Sequence, residues 1–205
     1  MHHELLPQDL RALLSTPLPG PGFYLAGGTA LALQLGHRIS VDLDWMHDKP
    51  ISEVLLPAVE KTYAGRRLDI RVNNSAELTF LADGAKVTFL HYPFPLLFPK
   101  VEFDKVSLAA VGDIAGMKAY AIGRRATYKD YVDLYFILKH GVDLEGIISI
   151  AQKKFGSVFD PRLFLEQLVY FDDIADMAIQ FAGKPIQIED LENFFEQETA
   201  KLKLQ

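Results

Sequence analysis

Cysteine is absent from the 205-residue chain, which excludes disulfide bonds and thiolate metal sites. Long apolar runs are absent too. A stretch such as Tyr24–Leu35 contains glycines and is shorter than the roughly 20 residues that a membrane-spanning helix needs. No basic segment leads into an apolar one near the N-terminus. We therefore expect a cytoplasmic protein with no signal peptide and no membrane partner.

Positive charge is also scarce. The chain has 21 Lys and Arg residues against 27 Asp and Glu residues, a formal net charge of −6. A protein that coats nucleic acid nonspecifically needs many basic side chains to neutralise phosphates, so this class is excluded. A small basic site for one nucleotide or one RNA end stays compatible with the composition. Apolar residues make up 49% of the chain, enough to bury a sizeable core.

The first half of the chain has the pattern of a sheet with flanking helices. Apolar and alternating segments predict strands at Phe23–Ala26, Ile39–Trp45, Leu68–Val72, Glu77–Leu81 and Lys86–His91. The last two flank Asp83-Gly84, a hairpin turn signal. We expect helices over Leu5–Leu14, Thr29–Leu35 and Ile51–Tyr63. Prolines 93, 95 and 99 are expected to end the sheet.

The second half is predicted to be helical. Helices are expected at Asp113–Gly123, Tyr128–His140 and Leu144–Phe155, from Asp160-Pro161 to about Ala182, and in a last segment from Ile188 to Leu202. The chain therefore has the pattern of an α+β fold. We expect a mixed-sheet core over residues 1–107 and a helical domain over residues 108–205.

The segment Phe23–Leu31 has the order strand, Gly27-Gly28, helix. Glycines allow backbone to approach a ligand closely, and the N-terminus of the following helix attracts phosphate. A cradle made of Gly27, Gly28 and Thr29 could thus bind nucleotide phosphates. An ordinary tight turn explains the pair of glycines equally well when it is taken alone.

Asp42 and Asp44 lie two residues apart in a predicted strand, so both side chains point to one face, while Val41, Leu43 and Trp45 face the core. Aspartate is depleted in strands, and two like charges on one face are unfavourable without a counter-ion. Carboxylate oxygens are ligands that Mg²⁺ prefers, so Asp42 and Asp44 are candidate ligands for Mg²⁺ or Mn²⁺. An exposed strand end is the alternative.

The combined order of these motifs resembles the nucleotidyltransferase superfamily, and in particular its AbiEii/AbiGii toxin family. The resemblance rests on Tyr24–Leu33, Gly36–Asp44, Asp113–Lys118, Lys129–Tyr135 and Leu168–Asp173. It spans most of the chain. The implied fold is a nucleotidyltransferase-like mixed sheet with flanking helices, followed by a C-terminal helical domain.

The resemblance implies roles for two residues of the helical half. It assigns Lys118 to the nucleotide phosphates and Asp130 to the catalytic centre. A compact cation suits a triphosphate, and a carboxylate can accept the proton of an attacking hydroxyl. Arg38 is a candidate for bidentate contact with phosphate, and Ser40 for steadying Asp42. Asp133 shares a helix face with Asp130, and we expect it to cap the helix or to pair with an arginine.

One departure from the superfamily pattern concerns the third carboxylate. Its natural place, the strand Lys86–His91, contains no acid, and Asp69 precedes the hairpin. A full two-metal clamp is therefore not expected. A single metal ion is one possibility, and a carboxylate donated by the helical domain is the other.

The resulting hypothesis is a Mg²⁺-dependent enzyme that transfers a nucleoside monophosphate from an NTP to an acceptor hydroxyl. The resemblance points to an RNA 3′ end, such as that of tRNA, as acceptor and to an antitoxin protein as partner. Two alternatives stay open. One is a small-molecule nucleotidyltransferase, and the other is a non-catalytic nucleotide-binding regulatory protein.

Overall fold

A computed structural model describes residues 1–125, 127–172, 174 and 178–202. The chain divides into two compact units. The sheet unit comprises Met1–Pro95 and Pro99–Ala109, and the helical unit comprises Leu96–Phe98 and the chain from Ala110 onwards. The short segment Leu96–Phe98 thus belongs to the helical unit, although the chain on both sides of it belongs to the sheet unit.

The sheet unit is built on a seven-stranded mixed sheet with the order β3-β4-β5-β2-β1-β7-β6. Its strands are β1 (Tyr24–Ala26), β2 (Asp42–His47), β3 (Leu68–Asn73), β4 (Glu77–Ala82), β5 (Ala85–His91), β6 (Val101–Phe103) and β7 (Val106–Leu108). Strand β2 runs parallel to β5 and antiparallel to β1, and β1 runs parallel to β7. The mixed sheet and the α+β class are as predicted.

Three helices belong to the sheet unit: α1 (Gln8–Leu14), α2 (Gly27–Leu35) and α3 (Leu55–Thr62). Along β2, Leu43 and Trp45 are buried, whereas Asp42 and Asp44, which alternate with them, stay partly exposed. Trp45 and Phe80 both stack on Phe89, with ring centroids 6.5 and 6.3 Å away. The alternation of side chains thus gives β2 one apolar face and one acidic face.

The helical unit contains α4 (Val111–Ile122), α5 (Tyr128–Lys139), α6 (Leu144–Phe155), α7 (Pro161–Leu168) and α8 (Ile188–Ala200). Helix α4 packs against α5, α6 and α7, and α5 packs against α8. Tyr131 is fully buried, and its ring contacts Phe171 and Phe195. Among the described residues, none of the helices could serve as a membrane span.

Several predicted boundaries differ from the structure. The helix expected over Leu5–Leu14 begins only at Gln8 because Pro7 is its N-cap, and a short 3₁₀ turn (His3–Leu5) precedes it. The strand expected from Ile39 starts at Asp42, so Val41 lies outside it and is 51% exposed rather than facing the core. The hairpin turn at Asp83-Gly84 is as predicted, with positive φ at both residues.

Two predictions about longer stretches are wrong. The prolines do not end the sheet, because β6 and β7 follow them, and β7 pairs with β1. The helix from Pro161 ends at Leu168 instead of about Ala182, and the Tyr131 hydroxyl donates to the carbonyl oxygen of Gln167 in its last turn. Within the remainder of that expected helix, residues 173 and 175–177 lie outside the described residues.

Candidate functional site

The first residue of helix α2 lies against a carboxylate. Gly27 has a φ of +64°, a conformation that favours glycine, and a Cβ atom placed on it would stand 3.1 Å from Asp44 Oδ2. This proximity follows from the sheet, because Ala26 at the end of β1 pairs with Asp44 of β2. Asp44 therefore lies at the N-terminus of α2, whose first residue is Gly27. The positive end of the helix dipole favours the negative charge of Asp44.

A buried arginine fills the space beside the second glycine. The guanidinium of Arg38 occupies the position that a Cβ on Gly28 would need, and Arg38 Cζ is 3.2 Å from that position. Arg38 is 5% exposed, and its Nη1 donates to the carbonyl oxygen of Ile39 at 3.2 Å. A cation thus lies at the N-terminal turn of α2, where phosphate binding would need one.

Thr29 and Ser40 hold this turn to the segment that leads into β2. The Thr29 hydroxyl donates to Ser40 Oγ at 2.8 Å and also contacts the carbonyl oxygen of Asp42. Both residues are buried. These contacts indicate that the two side chains hold the α2 turn against the start of β2. A direct contact of Thr29 or Ser40 with the nucleotide stays a prediction.

The acidic face of β2 continues onto its parallel neighbour, β5. In the register of these strands Asp42 pairs with Lys86, and Asp44 pairs with Thr88. Strand β5, next to the two aspartates, therefore carries Lys86 and Thr88 at the place of the third carboxylate of the superfamily pattern. Among the described residues, no cluster of three or more His, Asp or Glu side chains could hold a metal ion. Asp42 and Asp44 can supply two ligands.

The structure therefore brings together the predicted residues of the sheet unit through direct contacts and strand pairing. These residues are Gly27, Gly28, Thr29, Arg38, Ser40, Asp42 and Asp44. Two carboxylates that share a strand face, a buried guanidinium and a helix N-terminus are groups that could hold a phosphate chain and its counter-ion.

The helical unit contains a buried cluster around Lys118. Lys118 Nζ lies 2.7 Å from Asp130 Oδ1 and 2.6 Å from Asp133 Oδ2. Thr127 Oγ1 donates to the other oxygen of Asp130 at 2.6 Å. The side chains of Asp130 and Asp133 are 7% and 0% exposed. Lys118 and Asp130 thus lie together, and both carboxylate oxygens of Asp130 are oriented by neighbours.

The charge state of Lys118 follows from these contacts. Burial by itself lowers the pKa of a lysine, but the carboxylates of Asp133 and Asp130 outweigh burial and raise the pKa of Lys118 above its ordinary value. Lys118 is therefore a permanent cation at neutral pH. One cation between two carboxylates gives the cluster a net charge of −1 when both acids are ionised.

Sequence reasoning missed two parts of the helical unit. Asp133 pairs with Lys118, a partner that the sequence did not indicate, although its spacing of three residues from Asp130 indicated the shared helix face. Lys154, whose burial we did not predict, is 3% exposed, and its Nζ lies 2.9 Å from Asp113 Oδ1. Asp113 also accepts from the backbone N–H groups of Leu97 and Phe98.

Comparisons with known proteins agree with the resemblance. The profile of the family described as "Nucleotidyl transferase AbiEii toxin, Type IV TA system" matches residues 8–203. The uncharacterized protein aq_aa25 of Aquifex aeolicus (strain VF5) is 35% identical over 181 residues, which cover 85% of this chain and 82% of that protein.

Two solved structures share the fold. MenT4, a nucleotidyltransferase toxin from Mycobacterium tuberculosis H37Rv, superposes with a TM-score of 0.64 at 17% identity, over 94% of this chain and 80% of that one. JHP933 from Helicobacter pylori superposes with a TM-score of 0.54 at 18% identity, over 97% and 94% of the two chains. At these identities the two structures support the fold alone.

Proposed function

Because the chain belongs to the AbiEii nucleotidyl transferase toxin family and is therefore a nucleotidyltransferase, we propose that it transfers a nucleoside monophosphate from an NTP to an RNA 3′ end, such as that of tRNA. The observation that carries this proposal is the contact network of the sheet unit. Asp44 lies against Gly27, and Arg38 lies against Gly28. The family also implies an antitoxin counterpart.

In the proposed reaction the oxygen of the acceptor hydroxyl forms a bond to the α-phosphorus of the NTP. The bond between that phosphorus and the oxygen bridging to the β-phosphorus breaks, and pyrophosphate leaves. The proton of the acceptor hydroxyl passes to the carboxylate of Asp130, which acts as general base. Gly27, Gly28 and Arg38 bind phosphate oxygens, since positioning and charge stabilisation supply most of the catalysis of phosphoryl transfer.

The residues present fit a divalent cation. Asp42 and Asp44 offer two carboxylates on one strand face, and Mg²⁺ is commonly bound by one or two carboxylates together with waters and substrate phosphates. We propose that Asp42 and Asp44 hold Mg²⁺ or Mn²⁺ when the nucleotide is present. The ion would supply Lewis-acid stabilisation of the phosphate charge.

Lys118 has two proposed roles. The family resemblance assigns it to the nucleotide phosphates. Its contacts support a further role, because Lys118 and Thr127 together orient both oxygens of Asp130. Removing Lys118 would leave two buried carboxylates without their cation, which costs about 3–5 kcal/mol of stability. A loss of activity in a Lys118→Ala protein would therefore be ambiguous, and Asp130→Asn is the better variant.

The test is incubation of the protein with each α-³²P-labelled NTP, Mg²⁺ and total RNA, followed by gel electrophoresis. We expect label in RNA for at least one NTP. Label in a small molecule instead would overturn the RNA acceptor and keep nucleotidyl transfer. NTP binding without any transfer would overturn the catalytic proposal in favour of a regulatory nucleotide-binding protein.

Matched variants assign the residues in the same assay. Asp130→Asn should lower transfer by at least about 100-fold, the usual scale for a positioned acid–base group. Asp44→Asn should also lower transfer, because one of the two proposed metal ligands is lost. Asp130→Asn should leave NTP binding largely intact. Asp69→Asn, which removes an exposed carboxylate on β3 of the same sheet, is the control and should transfer normally. Full activity of Asp44→Asn would contradict the metal assignment.

A further inference from the structure

Lys86 lies beside the two aspartates of β2, on the neighbouring strand of the sheet. It lies on β5 in register with Asp42 of the parallel strand β2, so both side chains point to the same face of the sheet. Neighbouring strands are about 4.8 Å apart, a distance that the four-carbon stem of lysine spans easily. Lys86 is exposed, and no ion pair joins it to a carboxylate in the described part of the chain. Its ammonium group is therefore available to a ligand.

The next residue on that face of β5 carries no charge. Thr88, in register with Asp44, is buried and accepts a hydrogen bond from the hydroxyl of Thr79 on β4. Lys86 is thus the charged residue that β5 places beside the two aspartates. A cation at this position lowers the repulsion between Asp42 and Asp44, whereas a third acid would raise it.

We propose that Lys86 is a nucleotide-binding residue whose ammonium group contacts a phosphate oxygen of the NTP, at the position where a third carboxylate would help to hold a second metal ion. This inference rests on the proposed function of the sheet unit. Two-metal enzymes place two ions about 3.5–4 Å apart to neutralise the phosphates. Here a lysine supplies part of that positive charge, and Asp42 and Asp44 bind a single ion.

Three variants test the contact by calorimetry with each of the four NTPs and Mg²⁺, without acceptor. Lys86→Met keeps the stem and removes the charge, and it should weaken NTP binding about tenfold or more, the scale of a hydrogen bond to a charged group. Lys86→Arg should restore most of the affinity. Lys105→Met is the matched control, since Lys105 is an exposed lysine in the turn before β7, at the end of the sheet away from Gly27.

A separate readout counts the metal ions. Electron paramagnetic resonance with Mn²⁺ and saturating NTP should give one bound ion per chain for the unmodified protein. The Lys86→Asp protein, which gains a third carboxylate on β5, should bind two. Two ions in the unmodified protein, or one in Lys86→Asp, would overturn the assignment of Lys86 to the place of the third carboxylate.

The outcomes separate this inference from the function on which it rests. If the unmodified protein binds NTP, loses that binding on Arg38→Met and keeps it on Lys86→Met, the Lys86 inference fails alone. If the unmodified protein binds no NTP, the proposed function fails with it. Melting temperatures of the Lys86 and Lys105 variants should stay near that of the unmodified protein, because both lysines are exposed and surface substitutions rarely change stability by more than about 0.5 kcal/mol.

Discussion

At the scale of single residues, the two glycines of the phosphate cradle serve different purposes. Gly27 adopts a φ of +64°, which a side chain would strain, so its role is conformational. Gly28 is not among the glycines with positive φ, and its role is to leave room for the Arg38 guanidinium. A buried charge is costly unless neighbouring groups compensate it, so the guanidinium of Arg38 has few alternative positions. One Gly-Gly pair thus combines a backbone requirement with a packing requirement.

This difference leads to a prediction for Gly28→Ala. The added methyl group would displace the Arg38 guanidinium, so NTP affinity measured by calorimetry should fall by about tenfold. Stability should change little, because alanine favours helix over glycine by roughly 0.5–1 kcal/mol and offsets part of the rearrangement. Gly20→Ala is the control, since a Cβ there meets its nearest atom at an ordinary 3.8 Å. Normal NTP binding by Gly28→Ala would contradict a role for Arg38 in the cradle.

At the scale of secondary-structure elements, the buried pair of Asp113 and Lys154 connects α4, α6 and the segment Leu96–Phe98. Both side chains of the pair are 0% exposed. Asp113 also accepts hydrogen bonds from Leu97 N at 2.9 Å and Phe98 N at 3.1 Å. The carboxylate therefore satisfies three donors, which is what a charge needs in order to be tolerated inside a protein.

We predict that breaking this pair destabilises the protein by about 3–5 kcal/mol, because one charge is left buried without its partner. Urea denaturation of Asp113→Ala and Lys154→Met should show this loss, and the double variant should lose less than the sum of the two. The control is Arg162→Ala, which removes a pair with Glu166 that is 88% and 60% exposed and should cost less than about 0.5 kcal/mol. Additive losses would argue that the pair is not energetically coupled.

The burial of Lys154 could have been predicted from periodicity. Ile147, Ala151 and Lys154 follow a helical spacing of four and three residues, and all three are buried on one stripe of α6. Its partner could not have been predicted, because Asp113 is 41 residues away and pairing at that distance depends on tertiary packing. The pairing of Lys118 with Asp133 likewise depends on how two helices pack and could not have been predicted from the sequence.

Strand prediction worked where alternation extends over six or seven residues, as in β4 and β5. It failed for β6 and β7, which have three residues each, too few to show a period of two. In the sheet unit, the Gly-Gly and Asp-x-Asp motifs were sufficient to predict the neighbourhood of Gly27 and Asp44. The bracing by Thr29 and the position of the Arg38 guanidinium depend on side-chain packing, which a single sequence does not contain.

At the scale of the whole molecule, the net charge of −6 constrains how an RNA acceptor would bind. Long-range attraction cannot carry the association, because the overall field repels phosphates. Recognition of the RNA must then depend on a few local cations, and Arg38 and Lys86 are already assigned to the phosphates of the NTP. A weak dependence of RNA binding on salt is the corresponding expectation, because few phosphates are neutralised.

Stability of the whole chain should fall at alkaline pH, and Tyr63 is one identifiable cause. Burial raises the pKa of Tyr63 from 10.0 to about 12. A group whose pKa is raised in the folded state contributes stability that is complete below its unfolded pKa and is lost as the pH rises through its folded pKa. The loss from Tyr63 therefore occurs between about pH 10 and pH 12 and amounts to roughly 2–3 kcal/mol. The raised pKa of Lys118 acts in the same direction, above the ordinary lysine value of 10.5.

The Tyr63→Phe variant separates the contribution of Tyr63 to the alkaline loss of stability from that of Lys118. The ring packs edge-on against Phe80 with centroids 5.4 Å apart, and phenylalanine preserves that contact, so stability at neutral pH should change little. Urea denaturation at about pH 9, 10 and 11 should show a shallower alkaline decline for Tyr63→Phe than for the unmodified protein, because only the latter must keep a buried phenol protonated. Lys118 is present in both proteins and cancels from the comparison. Parallel declines would show that the Tyr63 hydroxyl titrates as freely in the folded protein as in the unfolded chain.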